Sequence, residues 1–187
     1  VAKRIVATPT SNVFFVYDEA GRLLGEYNSA GSRIKEYVWL DDTLVAVLAS
    51  HASSLHQYVL TDHLGTPRAI VHPVSNTIVW RWDLSGSAFG DHAAQNNPDG
   101  LDGNYVFNLR YPGQYFDSES GLHYNYFRDY DPETGRYVES DPIGLAGGLN
   151  TYGYVEGNPL SHTDRYGLFL DEGGTHIIPA ASASTAA

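Results

Sequence analysis

Two aspartates open matching pentapeptides in the last third of the chain, Asp141 in DPIGL and Asp164 in DRYGL. Between them stand Gly144, Gly147, Gly148, Gly153 and Gly157 and an Asn158-Pro159 turn signal, a composition that neither a helix nor a regular strand sustains. The segment reads as a fixed irregular loop, and only a loop that doubles back brings two such distant carboxylates together. Facing carboxylates cannot both ionise cheaply, so one pKa rises and the pair holds a single proton. That is the equipment for activating water against a peptide bond. On spacing alone the plainer reading is two Asx turns, because Asp before Pro or Gly is ordinary loop punctuation.

The other chemistry-bearing residues form no comparable set. Eight histidines include no His-Glu-x-x-His pair, and His51 and His56 lie in a strand or loop without further ligands, so neither a metal nor a cofactor is expected. With no cysteine, disulfides and thiolate metal sites are excluded. Ser161 beside His162 lacks the Gly-x-Ser-x-Gly context of a nucleophile elbow. Trp80 and Trp82 share one strand face, where burial is the expected use and stacking on a carbohydrate the alternative.

Charge narrows the partners. With 22 acidic residues against 11 Lys plus Arg, the net charge is −11, and a surface that tracks phosphates needs concentrated positive charge, so no nucleic acid is expected. No apolar run approaches the roughly 20 residues that span a bilayer, and no basic and apolar leader opens the chain, so no membrane span is expected.

The elements that must position the aspartates read as strands. Fourteen Tyr, seven Phe and three Trp alongside 19 Gly make the mixture of half-buried flat surfaces and tight turns typical of sheets. Val13 to Tyr17 and Leu23 to Tyr27 flank Asp18-Glu19-Ala20-Gly21, a hairpin signal that Asn28-Ser29-Ala30-Gly31 repeats before Arg33 to Leu40. Thr43 to Ala49, Leu55 to Leu60, Ile70 to His72 and Ile78 to Trp82 continue the pattern, and the turn-rich stretch Ser85 to Asn104 reads as a surface loop. Beyond it, Asp117 and Asp131 each stand four residues before a glycine, which predicts two more turns joined by one strand over Leu122 to Tyr130. Hairpins of this kind cannot bury an apolar face singly, so they are expected to stack into a curved, repetitive sheet. The fold class is all-β, with turns near Gly21, Gly31 and Gly135 and no helix longer than about three turns.

The wording goes beyond spacing. TDHLGTPRAIV (Thr61 to Val71), IVWRWDLSG (Ile78 to Gly86) and RYPGQYFDSESGLHYNYFRDYDPETGRYVESDPIGLAGGLNTYGYVEGNP (Arg110 to Pro159) resemble the Rhs-repeat-associated core. That core is the C-terminal end of the YD-repeat shell in bacterial polymorphic toxins and toxin-complex C components. VYDEAGRLLGEY (Val16 to Tyr27) is similar to a YD repeat, so the likeness covers nearly everything before Phe169.

The resemblance implies a β-sheet shell spiralling around an enclosed cargo and ending in an irregular Gly-rich plug. It implies shell strands over residues 1–110 with a loop near 85–104, a core with an autoproteolytic plug over 111–168, and over 169–187 the remnant of a variable toxin region, expected to be disordered. It further implies a single intramolecular cut by an aspartyl-protease-like mechanism between Leu168 and Phe169. Asp141 and Asp164 are carried over as the active carboxylates, with Arg128 and Asp129 where the related proteins place an Arg followed by an aromatic or acidic residue. Their second element commonly reads Asp-Pro-x-Gly-Leu, whereas here Arg165 follows Asp164.

The implied partners are an upstream YD-repeat shell, a C-terminal toxin segment absent here, secretion machinery and an immunity protein. The implied setting is a larger bacterial protein, secreted or at the cell surface. The residues after Leu168 are too few to fold alone, so no toxic activity is expected of this chain. The rival reading, which the same hairpins support, is a non-catalytic YD-repeat scaffold or cell-surface binding module.

Overall fold

In a computed structural model the described residues are 2–4, 12–49, 56–100 and 104–170. They form two antiparallel sheets, and among them the only helical elements are 3-10 turns at Gly144–Gly147 and Val155–Gly157. The chain is all-β, as its composition predicts.

The larger sheet is an eight-stranded meander in which sequence order equals spatial order. Its strands are β1 (Ala2–Arg4), β2 (Val13–Tyr17), β3 (Leu23–Tyr27), β4 (Arg33–Leu40), β5 (Thr43–Ala49), β6 (His56–Thr61), β7 (Pro67–Val71) and β8 (Ile78–Arg81). The smaller sheet has four strands, β9 (Tyr115–Phe116), β10 (His123–Asn125), β11 (Arg128–Asp131) and β12 (Arg136–Tyr137), ordered β12-β11-β10-β9. Leu55, His51 and everything after Leu170, including most of the expected toxin remnant, lie outside the described residues.

One local device builds most of the turns. Asn28, Asp62, Asp117 and Asp131 each accept, through a side-chain oxygen, the N–H two residues on, while each main-chain carbonyl takes the N–H of the following glycine. This is the Asx turn, a short polar side chain mimicking a main-chain turn, and the glycine N–H closes it with the glycine at positive φ. Asp18 is used alike, its carboxylate taking the Arg22 N–H at 2.8 Å and the Arg22 Nε at 2.6 Å. Beside these turns several strand pairs shift register, as at Val16/Tyr17, Glu26/Tyr27 and Leu60/Thr61. Such irregularities add twist and bend to a strand, the ingredient a curved sheet needs.

The core is aromatic. Trp80 of β8 and Trp82 just after it are 0% and 1% exposed, and Trp80 meets Phe107 while Trp82 meets Tyr111, both edge to face. Tyr130, Tyr137 and Tyr154 pack on one another beneath the smaller sheet. The loop after β8 departs from a free surface loop, because its main chain satisfies buried aromatic donors. Tyr130 Oη donates to Phe89 O at 2.8 Å and Trp82 Nε1 to His92 O at 2.9 Å. Few large apolar residues stand in that stretch, yet its carbonyls tie it to the core.

The strand expected over Leu122 to Tyr130 is instead a hairpin, β10 and β11, turning at Tyr126 and Phe127. Tyr126 takes φ +59, a conformation disfavoured for an aromatic residue, without the glycine or Asn-Gly that advertises a tight turn. Its ring is held against Tyr17, Tyr124 and Tyr166, so tertiary packing offsets the local strain.

Asp62 offers a direct check of the turn device, since it accepts from Leu64 N, Thr66 N and Arg68 Nε at 2.9, 3.0 and 2.9 Å. Asp62→Ala should lower unfolding free energy by about 1–3 kcal/mol, because three bonds of modest net worth are lost together. Asp62→Asn, which keeps the turn acceptor, should lose less. Urea unfolding of both variants is the measurement, and equal losses would mean the turn bonds contribute little.

Candidate active site

The β10–β11 hairpin decides what reaches the interior. With Asn125 opposite Arg128 and His123 opposite Tyr130, alternation sends Asn125, Arg128 and Tyr130 to the buried face and Asp129 to the other. Arg128 is 4% exposed and its guanidinium is the centre of the site. Nη2 lies 3.0 Å from Asp141 Oδ2 and 3.3 Å from Asp164 Oδ2. Nη1 donates to Thr151 O at 3.1 Å, Nε donates to Gly167 O, and the group lies 3.7 Å from the centre of the Tyr137 ring.

The loop does double back. Tyr137 N and Asp141 N donate to Tyr152 O and Thr151 O at 3.0 and 2.8 Å, so residues 151–153 return antiparallel to 136–141 and carry the Thr151 carbonyl to Arg128. Asp141 makes an Asx turn through Oδ1, which accepts from Ile143 N at 2.9 Å, and meets Arg128 through Oδ2. Asp141 thus forms the Asx turn of the plainer reading through one oxygen and meets Arg128 through the other.

Asp164 is placed differently. Oδ1 accepts from Leu168 N at 3.0 Å, and the carboxyl also takes the Phe169 N–H. Oδ2 accepts from Tyr137 Oη at 2.9 Å. Asn125 Nδ2 donates to both Asp164 O and Tyr137 Oη at 2.8 Å. Gly167 has φ +68, and a Cβ there would lie 2.5 Å from Asn125 O, so only glycine lets the chain settle on the hairpin tip. Gly147 closes the site from the other side. A Cβ there would overlap the Asp141 carboxylate and stand 2.6 Å from Leu168 O, so these two oxygens flank the same bare Cα.

The arrangement has a definite electrostatic character. Two carboxylates and one guanidinium leave one negative charge in excess inside the protein, where a charge is costly. Burial pushes the Asp164 carboxyl above its ordinary value of 3.8, against the opposing pull of the Leu168 N–H, Tyr137 hydroxyl and Arg128. Burial thus disposes Asp164 toward its protonated form. Beside it opens a cleft of about 580 Å³, lined by Arg128, Asn150, Tyr154, Asp164, Phe169 and Leu170.

Of the residues singled out from sequence, Arg128, Asp141, Asp164, Leu168 and Phe169 come together. Asp129 does not join them. It stands opposite Tyr124 on the outward face, its N–H bonded to Glu139 Oε2 at 2.8 Å. The sequence did not point to Asn125, Tyr137, Thr151 or Gly147, which complete the cluster. Only the glycine content of the loop hinted at the last.

His123 is buried against Gln114 Oε1 at 2.8 Å, and desolvation pushes its pKa down to about 3, so it is neutral. His63 reaches across to Leu160 O at 2.9 Å, outside the sheet ladder. Among the described residues no three His, Asp or Glu side chains group as metal ligands, and no helix is long and apolar enough to cross a membrane.

No protein-family model matches the chain. It is 31% identical over 192 residues to the probable deoxyribonuclease RhsA of Dickeya dadantii, covering 88% of this chain and 13% of that protein. Toxin protein Tse5 of Pseudomonas aeruginosa is 38% identical over 110 residues, covering 59% of the chain and 8% of that protein. The crystal structure of TcdB2-TccC3 without its hypervariable C-terminal region superposes with a TM-score of 0.57 at 20% identity, covering 89% of this chain and 8% of that one. The chain therefore spans a small part of the length of the proteins it resembles, and the structural likeness is one of fold.

Replacing Arg128 by Met strands two buried carboxylates without a cation, and Arg128→Met should cost about 3–5 kcal/mol. The deficit should be largest near neutral pH and shrink on acidification, since protonation removes the stranded charge. In the native chain Asp164 gives the same sign. Its folded pKa is raised, so its contribution is fully present below the ordinary carboxylate pKa and is lost as pH rises through the raised value. Unfolding free energies of both proteins across the acid range test this, and a deficit that does not vary with pH would sink it.

Proposed function

This chain belongs to the Rhs proteins, as an Rhs-repeat-associated core, and from that premise we propose that it cuts itself once, between Leu168 and Phe169, using Asp141 and Asp164. The observation that carries the reading is the Arg128 cluster: one guanidinium gathers both carboxylates beside a single peptide bond. Asp164 touches the amide nitrogens and Asp141 lies near the carbonyl oxygen across Gly147. Arg128 and Tyr137 hold the pair in place, and Asp129 acts at most through the strand it belongs to.

In this mechanism Asp141, paired with Arg128, takes a proton from a water as the water oxygen adds to the Leu168 carbonyl carbon. In the tetrahedral adduct the Phe169 nitrogen becomes pyramidal and turns its lone pair to Asp164, which, holding the proton that its burial favours, gives it to that nitrogen as the C–N bond breaks. Leu168 becomes the new C-terminus and Phe169 the new N-terminus. The proton has moved from one carboxyl to the other, and since the cut is made once the pair need not be reset. Fixed geometry does much of the work, because the bond is held against the acid group before reaction.

The wider role follows the relatives. The chain acts as the closing part of a YD-repeat shell in a larger bacterial protein, secreted or at the cell surface, and severs a C-terminal effector from that shell. Its partners are then the upstream shell, the C-terminal segment, and the export and immunity proteins that serve it.

Intact-mass spectrometry of the 187-residue chain tests the cut directly. A species ending at Leu168 is expected for the wild type and only the uncut mass for Asp141→Asn and Asp164→Asn, each still folded. A folded Asn variant cut as fast as the wild type would overturn the mechanism. The rate should fall as pH rises through the raised pKa of Asp164, because the leaving nitrogen needs its proton. Cleavage at Asp141-Pro142 or Asp131-Pro132 would indicate simple acid lability of Asp-Pro bonds instead.

A further inference from the structure

The second pentapeptide is held from two directions. Asp164 and Gly167 are fixed by the smaller sheet, through Asn125 and Arg128. The two side chains between them reach the turns of the larger sheet. Arg165 Nη1 lies 2.8 Å from Asp42 Oδ2 in the β4–β5 turn, and Tyr166 Oη donates to Ala20 O at 3.0 Å in the β2–β3 turn. Those turns are themselves tied together, since Arg22 donates to Asp41 O at 2.5 Å and stands 3.9 Å from Asp42. The Arg165 main chain lies flat on Gly113, where any side chain would overlap its carbonyl.

The peptide from Asp164 to Gly167 is thus held between two sheets, and the bond under the carboxyl begins one residue further on, at Leu168. Proline would fix its own φ at position 165, whereas arginine does not and must be anchored from outside. A displacement of about 1 Å in a reacting group can slow a reaction by about 10²-fold, so such anchors matter to rate more than to stability. The Arg165–Asp42 pair fits that division, because Asp42 is half exposed and an ion pair at that depth contributes little to the fold.

We infer that Arg165 and Tyr166 are positioning residues that make the proposed cut depend on the β2–β3 and β4–β5 turns, so that the chain severs itself only once the larger sheet has formed. This rests on the cleavage reading above. Asp42, 126 residues before the cut bond, then acts as a sensor of sheet assembly.

The test follows cleavage in time by intact mass during cell-free synthesis of the full chain. Asp42→Ala, Arg165→Ala and Tyr166→Phe should each cut several-fold more slowly while unfolding at nearly the wild-type midpoint. The Asp42→Ala/Arg165→Ala double variant should be no slower than the slower single variant, and Asp42→Arg with Arg165→Asp should recover most of the rate. Added salt should slow the wild type and leave the double variant unchanged.

Wild-type rates in the single variants, or additive losses in the double variant, would overturn the inference while leaving the cleavage reading intact. If the wild type is itself uncut, the cleavage reading fails, and amide exchange at Leu168 decides whether the anchors hold the segment. Faster exchange in Asp42→Ala supports them, and unchanged exchange overturns them.

Discussion

The structure turns on one buried guanidinium. Arg128 faces two carboxylates, two main-chain carbonyls and an aromatic ring, and it joins in one place segments that otherwise meet only in pairs. A planar fork with donors in fixed directions can serve five partners at once, which the point charge of a lysine cannot. Thr151 comes from the returning arm of the loop, Gly167 from the second pentapeptide and Tyr137 from β12. Remove the cation and the loop loses the group around which it doubles back, while the two aspartates lose what makes their proximity tolerable.

A second buried arginine gives the comparison that weighs this arrangement. Arg110 packs against Trp80, Trp82 and Phe116, bonds among the described residues to the carbonyls of Phe107 and Leu109 at 3.0 Å, and has its pKa pushed down to about 9 by burial. Aromatic faces and carbonyl oxygens therefore suffice to bury an arginine in this fold. Arg128 has the same kinds of partner and two aspartates besides. The acids are more than the cation needs for its own burial, and a surplus negative charge in the interior is costly unless a proton removes it.

Much of the fold was legible because it is local. Strands β2 to β5 carry their alternation and their turns in adjacent residues, so Asp18, Asn28 and the glycines after them announce the hairpins. The loop after β8 was less legible, since what holds it is its backbone, bonded to distant tyrosine and tryptophan donors. The hairpin at Tyr126 was not legible at all, because a left-handed tyrosine has no sequence mark and its strain is offset by rings from β2 and from the second pentapeptide. That unmarked turn carries the site. Without it Arg128 and Asp129 would continue a strand, and nothing in the spacing says which of the two faces inward. The candidate aspartates were visible only through their wording, for a contact between residues so far apart leaves no periodic trace.

The two pentapeptides also show why matching sequence need not mean matching role. In the first, Asp141 closes on itself, with Ile143 N on its side chain and Gly144 N on its carbonyl, and Leu145 is left 71% exposed. In the second, the carboxyl skips ahead to Leu168 N and Phe169 N, and Leu168 is 7% exposed. The difference follows from what surrounds them. Asp141 is reached by Arg128 from outside its own turn, while Asp164 is fastened at its carbonyl by Asn125 and at Oδ2 by Tyr137, leaving Oδ1 to face the residues that follow. A peptide bond held against a carboxyl inside the protein can be acted on, and one at the surface after a self-closed turn is not presented to any group. The asymmetry therefore lies in the packing around each aspartate, which confines the proposed chemistry to the second pentapeptide and gives the first the part of partner.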